Sequence, residues 1–235
     1  MVVNDLEVVI LAGGLGSRLK TLVPNKPKPM ANINGSPFLE ILIKHLSGQG
    51  VSNIILSVGY KAEIIQEYFG FNFCDVEIQY SLEDKPLGTG GAIRLASKKV
   101  KNEKFLVING DTFVDLDLED FLKFNLMNED LLLAAVPVSD TARCGTVNLS
   151  GNLVVEILEK NNKGSGLINA GCYLINRKTL DSIDVCTEFS FERELLPKLV
   201  EERSVRAVIC EGDFIDIGVP EDYHAAQKML VKHAL

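Results

Sequence analysis

Residues 10–30, "ILAGGLGSRLKTLVPNKPKPM", concentrate the groups most able to do chemistry. Gly13, Gly14 and Gly16 make a nearly bare turn behind an apolar run, Arg18 follows, and Lys28 stands between Pro27 and Pro29. A turn without side chains admits an anion close to the backbone and lets N–H groups point at it. Arg18 offers a planar fork for phosphate oxygens and Lys28 a point charge. The two prolines fix the backbone around Lys28, so the direction of its side chain is set. Asp111 in "VINGD" and Asp216 in "FIDIG" are carboxylates in apolar frames. Such groups need a partner, which an N-cap, an ion pair or Mg²⁺ shared with substrate phosphates would each supply.

The turn is not a P-loop, because no Gly-Lys-Ser/Thr follows at the required distance. It also fits the dinucleotide fingerprint poorly. The third glycine is missing, and the second strand ends "SVGY" without an acidic residue, so a nicotinamide oxidoreductase is a weak alternative. No Ser/His/Asp or Cys/His arrangement is visible. The three histidines are far apart in sequence, which argues against zinc.

These residues must be positioned by a fold, and the bulk numbers allow one. The chain has 235 residues, is 46% hydrophobic and 24% charged, and carries a net charge of -8. That composition can bury a sizeable core and argues against a broad nucleic-acid-binding surface. An anion must therefore be held locally. No apolar run approaches the ~20 residues of a membrane span, and the N-terminus lacks the basic region of a signal peptide. Five scattered cysteines suggest a reduced, cytoplasmic protein.

Strands are expected at 7–12, 53–59, 76–81 and 104–110. They alternate with helices at 37–50, 61–70, 88–100 and 118–127. Short apolar strands separated by amphipathic helices imply a parallel sheet covered on both faces. From residue 131 the rhythm changes to strands at 131–138, 145–150, 152–160 and 166–177, with a hairpin turn at "SGN". A helix at 191–202, a strand at 205–210 and a closing helix at 220–234 follow. With no linker visible, the chain reads as one α/β domain, 1–235. It has a doubly wound, mixed but mainly parallel sheet (about 1–130) and a smaller β-rich lobe (about 131–235).

"LAGGLGSRL…KPKPM" resembles the signature of the sugar-1-phosphate nucleotidyltransferases, and further matches span nearly the whole chain. "KPMANINGSPFLE", "EFSFERELLPKL" and "FIDIGVPEDY" are most similar to the short guanylyltransferases of that family that act on D-glycero-α-D-manno-heptose 1-phosphate. The resemblance implies a Rossmann-like, glycosyltransferase-A-like fold with a sugar-binding β lobe. It implies an enzyme that joins GTP to the heptose 1-phosphate for bacterial surface polysaccharide synthesis. Mannose 1-phosphate, other triphosphates (UTP, dTTP or CTP), or a non-catalytic nucleotide sensor stand as alternatives. Partners are then small molecules, with neither nucleic acid nor membrane; a homo-oligomer is left open.

By the same resemblance Arg18 and Lys28 are catalytic, and Asp111 and Asp216 hold Mg²⁺. Leu11, Ala12, Gly13, Gly14, Gly16, Ser17, Glu83, Gly88 and Thr89 bind the nucleotide, while Asn109, Gly145, Glu159, Lys160 and Asn169 take the sugar phosphate. Glu83 stands where pyrimidine-using relatives often carry glutamine. A carboxylate only accepts hydrogen bonds, and guanine presents two adjacent donors, N1–H and N2–H. Cys144 departs from the aromatic frequent in relatives. The expected reaction is in-line attack by a sugar-phosphate oxygen on the α-phosphorus. That oxygen is already anionic, so positioning and charge neutralisation suffice.

Overall fold

A computed structural model describes the chain except residues 1, 15, 20, 21, 125–129, 159–163, 182, 185, 186 and 235. Strand β1 (Glu7–Leu11) is followed by the short pair β2 (Asn32–Ile33) and β3 (Ser36–Pro37), then α1 (Phe38–Gly48), β4 (Asn53–Val58) and α2 (Ala62–Phe69). Next come β5 (Asn72–Phe73), β6 (Val76–Leu82), α3 (Gly88–Ala96), β7 (Lys104–Asn109), β8 (Thr112–Val114) and α4 (Leu118–Lys123). The second half holds β9 (Leu131–Val138), β10 (Thr146–Ser150), β11 (Leu153–Leu158), β12 (Gly166–Asn176), α5 (Leu196–Glu201) and β13 (Val205–Ile209). Strand β14 (Phe214–Asp216) and helices α6 (Pro220–Met229) and α7 (Val231–Ala234) close the chain.

One sheet runs through both halves in the order β10-β11-β13-β9-β12-β7-β1-β4-β6-β5. Strands β6, β4, β1 and β7 are mutually parallel, and β12 enters antiparallel between β7 and β9. The strand order reverses at β1, so its carboxyl end, where the glycines begin, is the switch point of the sheet.

Alternation along β1 shows why both faces are covered. Val8 and Ile10 join a core with Phe38 and Ile41 of α1 and Ile65 of α2. Val9 faces the opposite core, with Ile93 of α3, Phe105, Tyr173 and Leu199 of α5.

Several expected boundaries move. The helix expected at 118–127 ends at Lys123, residues 125–129 lying outside the described set. The stretch 191–202 splits into a π-helical turn, Phe191–Leu195, and α5. Pro197 lacks the N–H that an unbroken α-helix would need there. The closing helix breaks at Leu230. Three short antiparallel pieces were not legible: β2 with β3, β5 against β6, and β8 with β14. Strands of two or three residues are too short to show a period. Among the described residues no helix is long and apolar enough to cross a membrane.

Candidate active site

Two adjoining clefts open at the carboxyl end of β1. The smaller, about 180 Å³, is lined by Leu11, Gly14, Gly16, Arg18, Lys28 and Asp111. The larger, about 590 Å³, shares Leu11, Gly14 and Asp111 and extends past Gly13 and Asn109 to Glu83, Gly88 and Thr89. The sheet thus assembles residues far apart in sequence into one continuous groove.

Lys28 begins a single 3₁₀ turn, Lys28–Met30, after an extended Pro27. Its side chain is only 9% exposed, and Nζ lies 2.6 Å from Asp111 Oδ2 and 3.6 Å from Asp216 Oδ1. Gly16 has φ +60°, and a Cβ there would stand 2.8 Å from Lys28 Cβ. Backbone conformation and close approach both exclude a side chain at that position. Arg18 is exposed at the cleft in the 3₁₀ turn Ser17–Leu19. Its charge lies near enough to Asp216 to favour the carboxylate form.

Asp111 and Asp216 meet because β8 pairs with β14. Thr112 is in register with Asp216, and the Ile217 N–H donates to the Asp111 carbonyl at 2.9 Å. Burial first, and the Asp111 charge second, push the Asp216 carboxyl up, against the opposing pull of Lys28. Two carboxylates converging on one ammonium form a spot that takes positive charge, which fits a divalent cation held by oxygen ligands. A second cluster, Asp115, Asp213 and His233, has ligand atoms within 4.8 Å of one another. There Lys232 Nζ already sits 2.8 Å from Asp213.

Glu83 follows β6 at the far end of the larger cleft. Its Oε2 accepts from the Leu87 N–H at 3.2 Å and its Oε1 from Ser57 Oγ at 3.4 Å. Burial pushes its carboxyl up. Thr89 lines the cleft, but its hydroxyl is committed. It donates to Glu192 Oε2 at 2.6 Å and accepts from the Phe191 N–H at 2.9 Å. The Ala12 N–H donates to Ser57 O and the Leu11 carbonyl accepts from Gly110 N, so those two backbone groups belong to the sheet.

On the other lobe, Asn169 sits at a bulge in β12 and lines neither cleft. Its Oδ1 accepts from Gly171 N at 3.0 Å and its Nδ2 donates to the Tyr173 hydroxyl at 2.8 Å. Gly171 in turn packs against the Asn109 amide, whose Oδ1 is buried with no hydrogen-bond partner among the described residues. Gly145 precedes β10, where a Cβ would stand 3.2 Å from the Leu158 carbonyl, and it too lines neither cleft. Glu159, Lys160 and the Ser17 side chain lie outside the described residues. Two contributors had gone unassigned. Gly218 lies against Lys28 and Asp216, and Glu192 pins Thr89. The first stands inside the quoted "FIDIG" and the second inside the quoted "EFSFERELLPKL", but neither stretch by itself shows which residue its member meets.

A groove at the switch point of an α/β sheet, combining a glycine turn, two cations and two carboxylates, is suited to holding phosphates and neutralising their charge. The nucleotidyl transferase family profile matches residues 7–233, and the chain belongs to that family. It is 46% identical over 220 residues to the D-glycero-alpha-D-manno-heptose 1-phosphate guanylyltransferase of Campylobacter jejuni, covering 93% of this chain and 97% of that one. The protein of the same description from Aneurinibacillus thermoaerophilus is 41% identical, with 96% and 98% covered. The crystal structure of HddC from Yersinia pseudotuberculosis complexed with GMP-PN superposes with a TM-score of 0.84 at 41% identity, over 95% of this chain and 98% of that one.

Proposed function

We propose that the protein condenses GTP with D-glycero-α-D-manno-heptose 1-phosphate, releasing pyrophosphate and forming the GDP-heptose. The observation that carries this reading is the single groove running from the Glu83 carboxylate to Arg18, Lys28 and the paired carboxylates. The full-length likeness to proteins described as heptose 1-phosphate guanylyltransferases supports the choice of sugar.

In this reading Glu83 accepts from guanine N1–H and N2–H. A carboxylate offers about four acceptor positions. Leu87 N–H and Ser57 Oγ use two of them, which leaves two for the base. The β- and γ-phosphates lie against the N–H groups of the glycine turn and the Arg18 fork, and Lys28 meets the α-phosphoryl. A sugar-phosphate oxygen bonds to the α-phosphorus as the bond to the β-phosphate oxygen breaks. The nucleophile is already ionised, so no proton moves and no general base is needed. Mg²⁺ held by Asp111 and Asp216 would supply charge neutralisation at the phosphates. On the sugar side, the buried Oδ1, unpartnered among the described residues, marks Asn109 as a group in want of a donor. Asn169 and Gly145 line neither cleft, so on this side the reading rests on Asn109, with Glu159 and Lys160 added by the family resemblance alone.

The test is pyrophosphate release from purified protein with Mg²⁺, each of four triphosphates, and heptose or mannose 1-phosphate. Release is expected with GTP and the heptose 1-phosphate. Preference for another pair, or no release from any, refutes the assignment.

A further inference from the structure

Lys28 is assigned above to the α-phosphoryl, yet its ammonium is held by carboxylates. Its ammonium lies between the two carboxylates, 2.6 Å from Asp111 and 3.6 Å from Asp216, and is almost wholly buried. The surroundings are shaped to that placement. A Cβ on Gly16 would strike the lysine's own Cβ, and a Cβ on Gly218 would stand 3.4 Å from Nζ and 2.9 Å from Asp216 Oδ1.

We infer that Lys28 is the internal counter-ion of the metal carboxylates in the free enzyme and is exchanged for the divalent cation when the metal arrives with the triphosphate. The inference rests on the reading of Asp111 and Asp216 as the metal pair, and goes beyond it by giving Lys28 a second position and the reaction an order. Charge bookkeeping requires the exchange. An ammonium and a divalent cation cannot share one carboxylate pair at these distances without strong like-charge repulsion. The incoming triphosphate resolves the conflict, because it brings the anionic oxygens to which the lysine transfers. Metal alone must evict a bound cation into a place that offers it no partner. Metal bound to nucleotide evicts it toward a phosphate. The free enzyme therefore binds divalent cations weakly, and the carboxylates stay neutralised until substrate is present.

The experiment measures Mn²⁺ affinity by electron paramagnetic resonance, with and without GTP, in wild type, Lys28→Met and Lys28→Arg. Thermal melts check folding, and Lys28→Gln replaces Lys28→Met if the latter does not fold. A single opposite charge at this range shifts a carboxylate equilibrium by about one to three pK units. Removing it should thus tighten Mn²⁺ binding to the nucleotide-free protein by about tenfold to a thousandfold. Lys28→Arg keeps the charge and should stay weak. Deleting a cation from a catalytic site thereby strengthens metal binding, whereas a purely phosphate-binding lysine predicts no change in the nucleotide-free protein. Equal or weaker Mn²⁺ binding by nucleotide-free Lys28→Met overturns the inference, and if wild type still binds Mn²⁺ tightly with GTP, the metal assignment survives it. Absence of Mn²⁺ binding in every variant even with GTP overturns both.

Discussion

Replacing Glu83 by glutamine separates base reading from every other property of the site. The two side chains are nearly isosteric, and a glutamine carbonyl can still accept from the Leu87 N–H that Glu83 Oε2 holds at 3.2 Å. The loss falls on the two acceptor positions left for guanine. One is replaced by an amide donor facing the 2-amino group. A hydrogen bond to a charged group contributes about 1.5–3 kcal/mol, so kcat/KM for GTP should fall by about tenfold to a hundredfold for each bond lost. ITP lacks the 2-amino group. Wild type should therefore disfavour ITP by one such factor, whereas Glu83→Gln should accept GTP and ITP nearly equally. Pyrophosphate release with both triphosphates and one sugar phosphate reads the ratio. An unchanged GTP/ITP preference in the variant would falsify the assignment of Glu83 to the base. The same burial that raises its carboxyl fixes two signs. As pH falls through the raised value Glu83 gains a proton, so kcat/KM for GTP should decline above the ordinary glutamate range, and the variant should lose that part of the acid limb. Because the folded state holds the proton more tightly than the unfolded chain, stability falls as pH rises from the unfolded value through the folded one. Glu83→Gln should consequently melt no lower than wild type at pH 7, which a thermal scan checks.

Other perturbations test neighbouring parts. Arg18→Ala should cost about a hundredfold or more in kcat while changing unfolding free energy by less than about 0.5 kcal/mol, since the side chain is exposed. Near-normal turnover would remove Arg18 from the phosphate site. Gly90 of α3 lies against the Phe189 ring so closely that a Cβ would overlap it. Gly90→Ala should lose about 1–3 kcal/mol in urea unfolding, and an unchanged midpoint would contradict that packing. Cys74 is exposed whereas Cys172 and Cys210 are buried, with burial pushing the Cys210 thiol up to about 11 and the Cys172 thiol higher still. Iodoacetamide should label Cys74 in the native protein, and mass spectrometry should find Cys172 and Cys210 modified only after unfolding.

What was legible in the sequence followed from short-range signals. Strands such as 104–109 and 131–138 are continuous apolar runs, and the glycine turn is local, so both could be read from neighbours alone. The meeting of Asp111 with Asp216 could not. It depends on two three-residue strands whose pairing leaves no periodic trace, and only the family resemblance suggested it. Thr89 shows the opposite failure. Its position at the start of α3 pointed to the nucleotide, but its hydroxyl is spent on Glu192 and Phe191, partners contributed by a turn about a hundred residues later. Likewise the amide of Asn169 is largely consumed by its own bulge, a feature that requires knowing the register of β12 against β9. Position along a chain locates a side chain near a ligand more readily than it reveals which of its atoms are free.

The β8–β14 ladder also sets a timetable. The residues that the proposal sets against the triphosphate tail, from Gly13 through Lys28 to Asp111, are translated in the first half of the chain, whereas the strand bearing Asp216 comes about a hundred residues later. The matched pair of carboxylates therefore exists only once nearly all of this sequence has been made, and the α3 end of the larger cleft likewise waits for Phe191 and Glu192. On the proposed reading, a chain that stops short of β14 lacks Asp216, and with it half of the carboxylate pair that would hold the metal.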